Sequence, residues 1–117
     1  MARFRLSRPA QADLAQILTT SETRWGIEAS RRYSALLSAA ILRVADDPGD
    51  PVTRDRSDLS PGIRSLHLRY VHDSDLASRV KAPVHVLYYR SVRPDLVEIV
   101  RVLHERMDPD RHFSESE

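Results

Sequence analysis

The sequence predicts an α+β fold: an N-terminal strand, a two-helix hairpin, then a three-stranded antiparallel meander. Three observations carry that prediction. Apolar residues recur at helical spacing from Ala10 to Val44. The period then switches to two from Ile63 onward. Between the two regimes lies a seventeen-residue stretch, 46–62, holding three of the seven prolines and two of the three glycines.

Each element follows from its own residues. The opening ARFRLS alternates, with Ala2, Phe4 and Leu6 on one side and Arg3 and Arg5 on the other, as in a short half-buried strand. Pro9 ends it and suits the first turn of a helix. Ala10, Leu14, Ile17, Leu18 and Trp25 then fall on one helical face, and Trp25 is expected to close the hairpin that Gly26 creates. The second helix carries a stripe of Tyr33, Leu36, Leu37, Ala40, Ile41 and Val44. Pro48 forbids its continuation. IRSLHLRY, from Ile63, reads as a strand with Leu66 and Leu68 opposite His67 and Arg69. VHVLYYRSV, 84–92, is nearly continuous in apolar and aromatic residues, as befits a central strand, and one of Tyr88 and Tyr89 must face inward. A tight turn at VRPD leads to the last strand, LVEIVRVLH, 96–104. Residues 70–83 form a polar excursion between two strands, and SESE at the end reads as a solvated tail.

Composition bounds the function. A chain of 117 residues suits one domain with a real core. The absence of cysteine removes disulfides, cysteine-ligated zinc and thiol nucleophiles. No apolar run reaches the ~18–20 residues of a membrane span, and the N-terminus lacks an apolar signal segment, so a cytoplasmic protein is expected. Seventeen of the eighteen cations are arginine, which suits either bidentate anion contacts or the codon bias of a GC-rich genome. Residues 46–58 sum to −3 and residues 63–93 to +4, so a nearly neutral chain has a basic middle that fits an acidic partner.

Catalytic motifs are sparse. Three glycines cannot build a phosphate-binding loop, and neither a metal-ligand spacing nor a nucleophile elbow is present; no cofactor or metal is expected. Metal-free phosphodiester cleavage stays open, because His85, Arg90, Arg101, His104, Glu105, Arg106 and His112 include bases, acids and cations. Each also has a structural reading. His85 lies among apolar neighbours, and Glu98 is an available ion-pair partner for Arg90 and Arg101. Trp25, Tyr88 and Tyr89 divide in the same way between base stacking and core packing.

RLSRPAQADLAQI, ETRWGIEASRRY, PGIRSL, HVLYYR and VEIVRVLHERMDPDRHF, in that order, resemble the ParE toxins of the RelE/ParE superfamily of bacterial toxin–antitoxin systems. The resemblance implies a single RelE/ParE-like toxin domain over 1–112, with 113–117 as a flexible tail. It implies a hetero-oligomer with a ParD-like antitoxin whose acidic tail folds onto the toxin, and DNA gyrase as the inhibited target. A non-enzymatic inhibitor is therefore expected, with no membrane and no sequence-specific nucleic-acid contact. The candidate target-binding residues are Arg90, Arg101, His104, Glu105, Arg106, Met107 and Arg111; the candidate antitoxin-binding residues are Arg24, Arg31 and Arg32. The alternatives are a ribosome-dependent mRNA endonuclease of the RelE type, using Arg90, Arg101 and His104, or a decayed toxin kept as an antitoxin-binding module. By the same resemblance, His85 stands where the ribonuclease branch carries a catalytic arginine, and His104 resembles the histidine that ends the last strand in some ribonuclease members. Residues 70–83 are an insertion relative to many relatives.

Overall fold

Ser7 starts the first helix. It closes the opening strand β1 (Arg3–Leu6), and its hydroxyl accepts the Ala10 N–H at 3.1 Å as the N-cap of α1 (Arg8–Trp25). The computed structural model describes residues 3–71 and 80–114. Pro9 occupies the first turn, where its missing N–H costs no helical bond. Gly26, at φ +92°, is the single residue between α1 and α2 (Ile27–Asp46), and a side chain there would be strained. Ser30 Oγ donates to the Leu18 carbonyl at 3.1 Å and holds the two helices together near this corner.

The sheet has five strands in the order β1-β5-β4-β3-β2, so the N-terminal strand is an edge and runs parallel to the C-terminal one. The other strands are β2 (Arg54–Asp55), β3 (Arg64–His67), β4 (His85–Arg93) and β5 (Leu96–His104), which pair antiparallel with one another. The meander read from the sequence is present, and two details differ. The expected strand from Ile63 ends at His67, whose Nδ1 accepts the Arg69 N–H and turns the chain into a 3₁₀ helix, Leu68–Tyr70. The long loop contributes the two-residue β2, and Arg43 of α2 secures it through Asp50 at 3.0 Å. Of the excursion at 70–83, residues 72–79 lie outside the described residues, as does Ala2 of the opening strand.

Alternation along β4 and β5 builds two cores. Leu87 and Tyr89 face the hairpin with Val97, Ile99 and Val102, and pack on Leu36, Leu37, Ala40, Ile41 and Val44 of α2. Tyr88 faces the opposite side, where Ile63, Leu103 and Phe113 form a smaller cluster. Both tyrosines are therefore interior, one on each face. Trp25 corrects the expectation in the other direction: it is 75% exposed and does not close the hairpin. Leu18 and Tyr33, already in the two stripes, fill that role against the core.

Phe113, placed by the sequence at the start of the tail, is only 5% exposed. It sits on a short helix α3 (Pro109–Ser114) and meets the Tyr88 ring edge-on at 5.4 Å. Phe113→Ala is expected to lower unfolding free energy by ~3–5 kcal/mol in urea titrations followed by circular dichroism. A change under about 0.5 kcal/mol would mean that α3 does not belong to the cooperative fold.

Candidate functional site

β1 pairs only with Leu96–Ile99, so the outer edge of β5 beyond Ile99 has no strand beside it. α1 takes over that edge. Ser7 Oγ donates to the Val100 carbonyl at 2.7 Å, and Asp13 accepts the Val102 N–H at 3.0 Å. Asp13 also receives both arms of the Arg101 guanidinium, at 2.8 and 3.0 Å, with side chains only 13% and 16% exposed. Arg101 is thus held by Asp13 and not by Glu98. Glu98 bridges Arg90 at 3.0 Å and Arg5 at 3.1 Å on the face away from the hairpin.

Past this junction the hairpin and the ends of β4 and β5 diverge into a groove of about 970 Å³. Its floor is apolar, with Ile17, Ala29, Val84 and Val102, and Trp25 and Met107 stand at its margins. Arg24, Arg32 and Lys81 supply cations, whereas among the described residues Asp13 is the one carboxylate on the lining and is already paired. Among the described residues, none of Arg24, Arg32 and Lys81 has an ion-pair partner. The groove is apolar inside and positive around.

Two imidazoles lie at its sheet end. His85 and His104 face each other across β4 and β5, rings edge to face with centroids 5.5 Å apart. The Tyr33 hydroxyl reaches His85 Nδ1 at 2.6 Å and accepts the Val84 N–H at 3.3 Å. Burial pushes the Tyr33 hydroxyl up to about 12, against the lowering effect of the backbone bonds. Burial, aided by neighbouring His104, brings His85 down to about 4. A neutral His85 accepting from Tyr33 at Nδ1 carries its proton on Nε2. His104 Nδ1 accepts the Arg106 N–H at 3.1 Å, which likewise puts its proton on Nε2.

The sequence-predicted residues divide by location. His104 and Met107 line the groove together with Arg24 and Arg32; Arg31 does not, and pairs with Glu28 at 3.4 Å. Glu105 turns to His67 at 2.8 Å, and that bond holds its carboxyl below the usual range. Arg106 is exposed in the turn after β5, and Arg111 is exposed on α3. Arg90 lies opposite Glu98, ~16 Å along β4 from the His85–His104 pair and on the other face. Arg101 lines the groove with His104 but is held by Asp13, and Arg90 does not line it, so the three do not meet at one point. Among the described residues no cluster of three or more His, Cys, Asp or Glu is placed to hold a metal, and no helix is long and apolar enough to cross a membrane. Sequence reasoning missed Asp13, although its signal was present: with Ala10, Leu14 and Ile17 it falls at i, i+3, i+4 and i+7, a carboxylate inside an apolar stripe. It also missed Lys81 as part of the rim.

A small mixed sheet with a helical hairpin on one face and a basic-rimmed apolar groove between them defines a binding scaffold. The family model described as the ParE toxin of the type II toxin–antitoxin system parDE matches residues 4–109. Toxin ParE1 of Caulobacter vibrioides is 38% identical over 114 residues, covering 97% of this chain and 99% of that one. Toxin ParE1 of Mycobacterium tuberculosis is 34% identical over 112 residues, covering 96% and 98%. A chain of the solved structure titled "Chromosomal ParDE TA system from P. aeruginosa" superposes with a TM-score of 0.61 at 17% identity, over 89% of this chain and 95% of that one, a likeness of fold. The chain belongs to the ParE toxin family of type II toxin–antitoxin systems.

Two predictions follow from the geometry. Arg101→Ala leaves Asp13 half-buried without its cation and is expected to cost ~2–4 kcal/mol in urea unfolding, so loss of toxicity in this variant would report folding. An unfolded imidazole titrates near 6.5, and His85 in the fold at about 4. Above about pH 6.5 both states are neutral and stability is whole; between there and about pH 4 the unfolded chain takes up a proton that the fold refuses. This group should then remove on the order of 3 kcal/mol across that window, and no more below it. His85→Gln should flatten that part of the pH–stability curve; identical slopes in variant and parent would contradict the assignment.

Proposed function

We propose that this toxin acts by binding: it inhibits DNA gyrase in the cytoplasm and is neutralised by a ParD-like antitoxin seated in the groove. One observation carries the reading. Residues assigned from sequence to the antitoxin, Arg24 and Arg32, and residues assigned to the target, His104 and Met107, line the same groove. An acidic, amphipathic segment complements an apolar floor with an unpaired basic rim, and folding of such a segment on binding suits an antitoxin tail. Its presence would cover the His104–Met107 turn, so neutralisation needs no conformational change in the toxin.

The endonuclease alternative asks a base and a cation to meet on one scissile phosphate. Arg90 lies on the far face and Arg101 is committed to Asp13, which supports the binding reading over catalysis. Plasmid supercoiling and cleavage by purified gyrase test it. The expected outcome is lost supercoiling with accumulated cleaved plasmid, reversed by the cognate antitoxin. Unimpaired gyrase at large molar excess of folded toxin would overturn it, in favour of ribosome-dependent mRNA cleavage if transcripts are cut, or of a decayed toxin if they are not.

A further inference from the structure

We propose that the groove contains a carboxylate subsite built on His85 and His104, which receives one acidic side chain of the antitoxin and takes up a proton with it. The inference rests on the reading that the antitoxin occupies the groove.

The geometry supplies two convergent donors. The rings are 5.5 Å apart, and both line the groove. Each has its Nδ1 engaged by the protein itself, His85 with the Tyr33 hydroxyl and His104 with the Arg106 N–H. Among the described residues no partner reaches either Nε2, and no side-chain nitrogen or oxygen is both buried and without a hydrogen bond. Both Nε2–H groups are therefore open to the groove. An incoming carboxylate has two oxygens to accept them, whereas an amide or hydroxyl cannot exploit two donors as well.

The surroundings favour an anion. Facing His85 are Tyr33 from α2, Asp13 from α1, His104 and Glu105 from the end of β5, and His67 from β3. Asp13 is neutralised by Arg101 and Glu105 is bonded to His67, so neither carboxylate occupies the imidazole pair. Lys81, Arg24 and Arg32 add positive charge along the walls, and His112 lies on the same lining. A carboxylate seated between the rings raises the affinity of one of them for a proton, because opposite charge at contact distance favours the charged form. Binding and protonation are then linked, and the complex tightens as pH falls toward 6.

Two measurements test this on the full chain. The first uses sodium hexanoate, a carboxylate with an apolar tail, against hexanol as the uncharged control. In NMR titrations hexanoate should shift the His85 and His104 ring signals and raise their titration midpoints, and hexanol should do neither. The second measures antitoxin binding by calorimetry in buffers of different ionisation enthalpy at about pH 6 and about pH 7.5. The expected result is uptake of about half a proton, with affinity about fivefold tighter at the lower pH. The double variant His85→Gln, His104→Gln should still bind at the higher pH but lose the proton uptake and the pH dependence.

Outcomes separate this proposal from the reading beneath it. Arg24→Glu with Arg32→Glu should weaken antitoxin binding at least about tenfold at either pH. If it does, while proton uptake is zero or survives in the glutamine variant, the carboxylate subsite is wrong and the groove assignment stands. Rings that ignore hexanoate overturn the subsite as well. If the charge reversals leave antitoxin affinity unchanged, the groove assignment falls and the proposal falls with it.

Discussion

The carboxylate of Asp13 holds the molecule's working end together. β1 stops at Leu6, and β5 continues for five residues past its last pairing with it. An edge strand with unpaired groups is exposed to water and to other chains unless something covers it. Here α1 does so from Ser7 to Asp13, satisfying the Val100 carbonyl and the Val102 N–H with side chains. Arg101 completes the junction by neutralising the carboxylate that the backbone requires. The pair is more significant for what its loss would leave behind than for its net contribution. A half-buried carboxylate bound to one N–H and stripped of its cation is costlier than the intact pair is stabilising. Because the end of β5 is fixed in this way, His104 stays opposite His85, and the hairpin diverges from the sheet at a set place.

A second consequence concerns β5 itself. Tyr88 pairs with Arg101 and Tyr89 with Ile99, so Val100 is an extra residue in the ladder. A bulge of this kind accentuates twist and re-aims side chains. On the hairpin side it leaves Val102 and His104 directed at the groove; on the other it leaves Val100 and Leu103 directed at Tyr88 and Phe113. The sheet thereby buries apolar side chains on both faces, as a small domain needs if it is to bury enough surface. The turn 105–108 between β5 and α3 is anchored at one end by the Asp13 junction and at the other by Phe113. Met107 is thus presented on a short, tethered segment.

Much of this architecture was legible because periodicity encodes it. The α2 stripe from Tyr33 to Val44 lies on the core, and the last strand spans Leu96–His104 as its alternation indicated. The misreadings have physical causes. Trp25 fits the α1 stripe by spacing, but Gly26 turns the chain immediately after it, so the last residue of the helix projects beyond the partner that would bury it. His67 interrupts its strand by a local side-chain bond to Arg69, which alternation cannot report. Glu98 is the partner that the strand face and hairpin turn offer Arg101, whereas its actual partner comes from 88 residues away in sequence. Pairing across such distance is set by tertiary packing, and only the misplaced charge of Asp13 within an apolar stripe hinted at it.

The arrangement of the candidate site was not legible in the sequence. Sequence assigned basic residues to two functions, as though two surfaces carried them, whereas the fold collects Arg24, Arg32, His104 and Met107 around one groove. Physical economy favours that arrangement in a molecule that must be silenced. A distant antitoxin site would need two conformations of a core packed at crystal-like density, and a coupling free energy between them. On the proposed reading a groove shared by antitoxin and target would need neither, since occupation by one partner would exclude the other with the full binding free energy. The same reading would constrain the floor: Ile17 and Val102 line the groove and also pack in the main core. Substitutions along this wall would therefore move stability together with any recognition, whereas the exposed rim cations Arg24 and Lys81 separate the two.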